Sequence, residues 1–507
     1  MISSQLSPLE KQKEGSPTAI VIGSGFGGLA AAIRLQAQGV STTILERQSQ
    51  IGGRAVSFNI NGVTFDAGPT VITAPFVFEE LFRTAGKKMD DYVKLLPVYP
   101  YYRVLFDDGS SFDYGEPEDN VKQILEFSKK DAENYPKMLE HVEKIYFKGF
   151  EELAFTPFLS LRSMLKIVPD MIKLQSYRSN YGLISKYIKN EKLRQVFSFH
   201  PLLIGGNPFS VPSIYSLIQF LEKEYGVWFA QGGTNALVSA LAKIFEEMGG
   251  KILLNQGVEK IEVIDGEARG VVTNTGKMEA DVIVSNADVA TTYTKLIDSK
   301  WRKKNSNKRY EKAKYSMGLF LIYFATKKLY PDMKHHTIIL GPRYKELLED
   351  IFKNKILADD FSAYLHVPTR TDRTLAPEGV EAFYILIPVP NLDANIDWEV
   401  EGPKFKDKVM DFLEENYLSG LNENLVATKI LTPKDFEKNY MAYKGTGFSL
   451  EPTLRQSAYF RPHNRSEDIK KLYFVGAGTH PGAGLPGVVA SAKITTDLIV
   501  EDLKAEG

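Results

Sequence analysis

Cysteine is absent from all 507 residues. That excludes disulfides, thiolate metal sites, iron–sulfur clusters, a cysteine nucleophile and any cofactor tethered through sulfur. It is consistent with a reducing cytosol. Charge imbalance is missing too: 62 Lys and Arg stand against 63 Asp and Glu, for a net charge of −1. No global field draws the chain to nucleic acid, so any basic surface must be local. Long hydrophobic runs are lacking. Nothing approaches the roughly 18 consecutive apolar residues of a membrane span, and the longest candidates, such as residues 319–325, are strand-sized. Residues 1–18 are polar, rich in Ser, Gln, Lys and Pro, without the apolar core of a signal peptide. A disordered tail is expected there. The rest is ordinary globular material, 43% hydrophobic and 25% charged. Its length allows about two to four domain-sized units.

The first clear element is an apolar β run at residues 19–22. The turn Gly23-Ser24-Gly25-Phe26-Gly27-Gly28 follows at once. An Ala-rich helix is predicted over 29–38, closed by Gly39. A second strand, 42–45, ends at Glu46. The Gly23-x-Gly25-x-x-Gly28 spacing has a physical reason. The first glycine makes the tight strand-to-helix turn, the second lets backbone approach a pyrophosphate, and the third lets helix pack on strand. The helix start offers free N–H groups and partial positive charge to phosphates. Glu46, 18 residues beyond Gly28, is placed to accept from ribose hydroxyls. The alternative is a tightly packed turn with no ligand, but strand, helix and terminal acid together favour a dinucleotide.

NAD and FAD share this turn, and later segments separate them. Gly52-Gly53-Arg54 offers close backbone and a cation for a phosphate or ring edge. Its bland reading is a surface ion pair. Asp66-Ala67-Gly68-Pro69-Thr70 follows a hairpin at Asn61-Gly62. Most telling is the stretch 472–492: a strand, then Gly476, Gly478, Gly482, Gly484 and Gly487 within twelve residues, then a small-residue helix. Small residues leave room for a flat ring system, and the helix start can present N–H groups to the flavin N1–C2=O side. The predicted cofactor is FAD.

These motifs together resemble the FAD-dependent carotenoid desaturase family, most nearly the bacterial phytoene desaturases of the lycopene-forming type. Phe197-Ser198-Phe199-His200-Pro201, Gly226-Val227-Trp228-Phe229 and Tyr459-Phe460-Arg461-Pro462-His463 add to the likeness, which spans residues 19–505. The resemblance implies an α/β fold. It would have a Rossmann-like FAD-binding domain (19–80, 226–300, 466–507), an inserted mixed α+β substrate domain (81–120, 301–465) and a helical membrane-facing region (121–225). It implies that Gly23, Gly25, Gly28, Glu46, Arg47, Gly53, Arg54, Gly68, Pro69, Thr70, Val258, Asn286, Asp288, Gly478, Pro486, Gly487 and Val488 hold FAD. The implied reaction is dehydrogenation of phytoene toward lycopene. Hydride passes to flavin N5, a proton leaves the adjacent carbon, and quinone or oxygen reoxidises the flavin. A conjugated substrate spreads developing positive charge, so the base need not be strong.

A long polyene must be collected from a membrane. Between residues 157 and 194, eight basic residues face two acids, a net of +6, interleaved with Leu, Ile, Met and Val. Such a stretch suits an anionic membrane surface. Its alternative is a core-packing helix with a solvated basic face. Peripheral membrane association of a cytoplasmic protein is expected. Arg162, Asp170 and His200 are the candidate acid–base residues, with His480 behind them. His335-His336 has no evident partner ligands, so no metal site is expected. Three further readings stay open: a later carotenoid desaturase, isomerase or oxidase on the same fold; a non-enzymatic lipid escort, which the intact glycine motifs disfavour; and an amine oxidase, which would need a polar amine site.

Overall fold

The computed structural model describes residues 15–506. Most of the expected tail, residues 1–14, lies outside the described residues, and the first strand already begins at Thr18. Thr18–Ile22 is buried from its second residue on. It lies between two parallel partners, Ser41–Leu45 and Val282–Ser285. Lys251–Leu253 and Leu472–Phe474 extend the sheet on either side to five parallel strands. Pieces of chain more than 400 residues apart thus share one sheet.

Strand alternation assigns its two faces. Ala19 and Val21 pack into a core with the helices Phe26–Ala37, Thr234–Glu247 and Leu485–Glu506. Ile20 and Ile22 point the other way, onto Val258, Ile261 and Val271 of an antiparallel three-strand meander. Burial on both faces explains why the strands read as unbroken apolar runs. The meander turns at Asp265-Gly266, where both residues take positive φ, +51° and +79°. That is the two-residue hairpin chemistry the sequence signals.

A second sheet has seven strands, running in order from Leu425–Leu431 through Gly318–Thr326, Glu381–Val389, Ala363–His366, His336–Ile339 and Tyr102–Leu105 to Ser111–Tyr114. Phe320, Ile322 and Phe324 pack under the helix Trp398–Asn416. The Asp397 side chain accepts from the Glu399 N–H at 3.1 Å and caps the start of that helix. Between the two sheets, residues 117–225 are mainly helical, including Lys129–Tyr146, Leu161–Lys173 and Leu217–Tyr225. No helix among the described residues is long and apolar enough to cross a membrane.

Candidate functional site

One large cavity, about 1200 Å³, runs from the first sheet's glycine turn into the helical segment. A pocket for a single drug-sized ligand holds roughly 300–1,000 Å³, so there is room for more than one. Every residue expected to hold the cofactor lines it, Gly28 apart.

The glycine end is built from the strand tips. Gly23 takes φ +93°, and its N–H donates to the Leu45 carbonyl at 2.8 Å, tying the turn to the neighbouring strand. Gly28 faces that turn rather than the cavity: a Cβ on it would lie 2.0 Å from the Gly23 carbonyl oxygen. This is the close helix-on-strand packing the spacing implies. The Asn286 side chain closes the floor. A Cβ at Gly25 would stand 3.0 Å from its Nδ2, and one at Gly27 2.5 Å from its Oδ1.

Glu46 ends the second strand and is buried. Its Oε2 accepts from the Ser24 N–H at 2.9 Å and the Ser24 hydroxyl at 2.7 Å, and its Oε1 from the Gln48 N–H at 2.9 Å. Oε1, which accepts only once, retains a lone pair for a ribose hydroxyl. The Ser24 link went unread in the sequence, although a hydroxyl inside the glycine turn is its signal. Arg47 lines the cavity and also donates to the Lys438 carbonyl at 3.3 Å.

Arg54 follows Gly52 and Gly53, held close because a Cβ on Gly68 would meet the Arg54 carbonyl at 2.4 Å. Its guanidinium makes no hydrogen bond among the described residues. Burial lowers its pKa, while Asp288 and Tyr440 oppose that. Asp288 caps the turn after Val282–Ser285, Oδ1 accepting from Ala290 N–H at 3.0 Å and Thr291 N–H at 3.3 Å. Its buried Oδ2 has no partner among the described residues. A cavity-facing cation, an orphaned acceptor and a glycine cradle at a helix start fit a flavin dinucleotide. Tyr440 and Gln256, also in the lining, carry no local signal in the sequence.

Thr70 sits where the two sheets meet. Its hydroxyl lies 2.9 Å from the Tyr364 hydroxyl and 2.8 Å from that of Tyr384. All three line the cavity. His480, on the glycine-rich loop, meets the edge of Phe158 at 5.1 Å. Burial, with Arg461 adding repulsion, holds its pKa down at about 3, so the ring is neutral.

The helical end is apolar. Lining residues from 149–221, such as Phe150, Met164, Ile167, Leu203 and Leu221, include no charged side chain, and neither do those from 317–388. Met164, Ile167 and Met171 share the inward face of Leu161–Lys173.

None of the three acid–base candidates lines this cavity. Arg162 is exposed to solvent. Asp170 pairs with Lys148 at 2.7 Å. His200 is fully buried behind Phe199, its Nε2 2.9 Å from Glu222 Oε2, and Glu222 also accepts from the Tyr102 hydroxyl at 2.7 Å. Residue type marked them; their places in a helix and a helical turn aim them away from the cavity. The expectation that His335 and His336 lack partners is also corrected. Strand pairing sets His366 opposite His336, and one ring nitrogen from each of the three histidines lies within 4.8 Å of the others.

Residues 26–500 match the model of the flavin-containing amine oxidoreductases. The chain belongs to that family. It shares 49% identity over 488 residues with the lycopene-forming phytoene desaturase of Pseudescherichia vulneris, covering 96% of this chain and 99% of that one. With the neurosporene-forming phytoene desaturase of Rhodobacter capsulatus it is 42% identical, over 98% and 97% of the two chains. Within the family it therefore groups with the carotenoid desaturases. In fold it is similar to a solved putrescine oxidase, with TM-score 0.65 at 13% identity over 97% and 99% of the chains. Cyclohexylamine oxidase from Brevibacterium oxydans gives TM-score 0.60 at 17% identity over 96% and 100%. The protein is an FAD-dependent oxidoreductase of mixed α/β fold.

Proposed function

We propose that the protein desaturates phytoene, carrying it toward lycopene. The observation that carries this reading is the continuous cavity, glycine-lined at one end and uncharged throughout its helical end. An amine substrate is a cation and needs a carboxylate or aromatic cage there; a polyene needs only apolar contact, worth about 0.8 kcal/mol per buried CH₂. Bound FAD supplies the two-electron acceptor at N5. The chain's own part is to hold and align. Gly23, Gly25 and the helix start receive the pyrophosphate, Glu46 a ribose, and Arg54 with the loop 476–487 the ring end. The Met164–Ile167–Met171 face keeps the substrate straight and dry beside it.

Each double bond costs the substrate one hydride and one proton from neighbouring carbons. Arg162, Asp170 and His200 stand outside the cavity, so we assign the proton to a weaker acceptor at the junction. His480 is neutral, borders both the glycine loop and Phe158, and suffices for a proton made acidic by a delocalised cation. Quinone or oxygen would take the electrons onward.

The helix Leu161–Lys173 supports a membrane-facing role. Leu161, Leu165, Val168 and Ile172, spaced along one outer face, are 51%, 61%, 37% and 61% exposed. Arg162, Lys166 and Lys173 flank them. One helix thus offers an apolar stripe to lipid and another to the cavity, the arrangement of an interfacial segment. We infer with it a division into a three-piece FAD domain, a sheet-based substrate domain and a helical membrane region. Pigment analysis by HPLC in a phytoene-accumulating host tests the reading. Conjugated products are expected; unchanged phytoene beside FAD-loaded protein would overturn it.

A further inference from the structure

The three histidines brought together by the second sheet have no part in that reaction. His336, at the start of His336–Ile339, is the cross-strand partner of His366, at the end of Ala363–His366. His335 precedes it in sequence. The ring centroids lie 4.4, 4.7 and 5.3 Å apart. All three side chains are buried, at 5%, 0% and 0% exposure.

Their hydrogen bonding is one-sided. His335 Nδ1 lies 2.6 Å from the Thr371 hydroxyl, and His336 Nδ1 2.6 Å from the Tyr364 hydroxyl. His366 Nδ1 is 3.3 Å from the same Tyr364 hydroxyl. Every Nε2 is buried without a partner among the described residues. If each Nδ1–H donates to its hydroxyl, each Nε2 carries a bare lone pair. That is the pattern of metal-bound histidine, in which an outer hydrogen bond fixes the tautomer and orients the ring. Tyr364 can accept from both rings and donate to Thr70 at 2.9 Å.

We propose that His335, His336 and His366 form a binding site for one divalent transition-metal ion, zinc by preference. Three imidazoles with no carboxylate suit zinc or copper rather than magnesium or calcium. A fourth, exchangeable position would hold water. Zn–N bonds of about 2.0–2.1 Å set tetrahedral nitrogens roughly 3.4 Å apart, closer than the 4.8 Å within which one nitrogen of each ring now lies. The ion would tie the two strands together and, through Tyr364, brace Thr70 in the cavity wall.

The test uses untagged, FAD-loaded full-length protein, grown with added zinc and freed of loose metal by gel filtration with a weak chelator. Mass spectrometry of elements should find about one zinc per chain, and X-ray absorption at the zinc edge should show three imidazole ligands. His366→Gln, purified with its FAD, should hold less than about a tenth of that zinc. Two results overturn the proposal: parent protein without zinc, or zinc kept at the parent level in His366→Gln. If that variant does not fold, the absorption spectrum of the parent decides. Three imidazoles uphold the site, and fewer reject it.

Discussion

Replacing Gly28 by alanine probes the glycine turn at its tightest point. The new Cβ would stand 2.0 Å from the Gly23 carbonyl oxygen, 3.2 Å from its carbon and 3.3 Å from Asn286 Cβ. Ordinary contact begins near 3.4 Å, so the two backbones must part by more than 1 Å. Neither side yields freely. Gly23 N–H is bonded to Leu45 and Asn286 N–H to Ile22, at 2.8 and 2.9 Å. Overpacking of this kind costs about 1–3 kcal/mol, and backbone on both sides places Gly28→Ala at the upper end. On the proposed binding mode, the shift also moves the helix-start N–H groups away from the FAD pyrophosphate. Losing one such charged hydrogen bond costs about 1.5–3 kcal/mol, raising the FAD dissociation constant about ten- to a hundredfold. Apo-protein is titrated with FAD by flavin fluorescence, and melting is followed by circular dichroism. Gly402→Ala is the control: its Cβ meets nothing closer than 3.6 Å in the helix Trp398–Asn416, and helix propensity predicts a gain of up to about 1 kcal/mol. Parent-like FAD affinity and melting in Gly28→Ala would refute the reasoning.

Charging the outer stripe, with Leu165→Glu and Ile172→Glu together, removes about 1.5 kcal/mol or more of apolar transfer per residue. Co-sedimentation with anionic liposomes should fall more than tenfold, and undiminished binding would count against a lipid-facing helix. Asp66 is buried, and burial raises its pKa to about 6 despite the Thr234 and Asn235 N–H groups it accepts from. The folded state therefore holds this proton more tightly than the unfolded one. The contribution, about 3 kcal/mol for a shift from 3.8, is complete below pH 3.8 and is lost as pH rises through 6. Asp66→Asn should accordingly gain on the parent in melting temperature between pH 4 and pH 7, and a constant difference would contradict the shift. His200→Gln, which disturbs a buried bond to Glu222, should lower stability by about 1–3 kcal/mol while turnover per bound FAD stays at the parent level. A collapse of turnover at full FAD occupancy would return His200 to the reaction.

Local signals were readable and non-local ones were not. The turn from Gly23 to Gly28, Glu46 and the glycine-rich loop lie within short stretches whose spacing follows from one strand and one helix. Their cofactor could be named from order and composition. What Asn286 does beneath that turn depends on a strand some 260 residues away. Tyr440 beside Arg54, and Phe158 against His480, are likewise products of packing. In Leu161–Lys173, both 164-167-171 and 161-165-168-172 fit a helical stripe, so spacing alone does not say which one faces the cavity. Arg162 and Asp170 lie outside the cavity-facing row. The His336–His366 pairing is a matter of strand register, which a sequence does not print.

The central claim is that this cavity joins FAD to a polyene. It is tested most directly by mixing the FAD-loaded protein, without oxygen, with phytoene in liposomes, while following the visible band of oxidised flavin and the products by HPLC. The account predicts bleaching of the flavin matched by an equal amount of a more conjugated polyene. Flavin that stays oxidised beside unchanged phytoene, in protein shown to bind the liposomes, would contradict it.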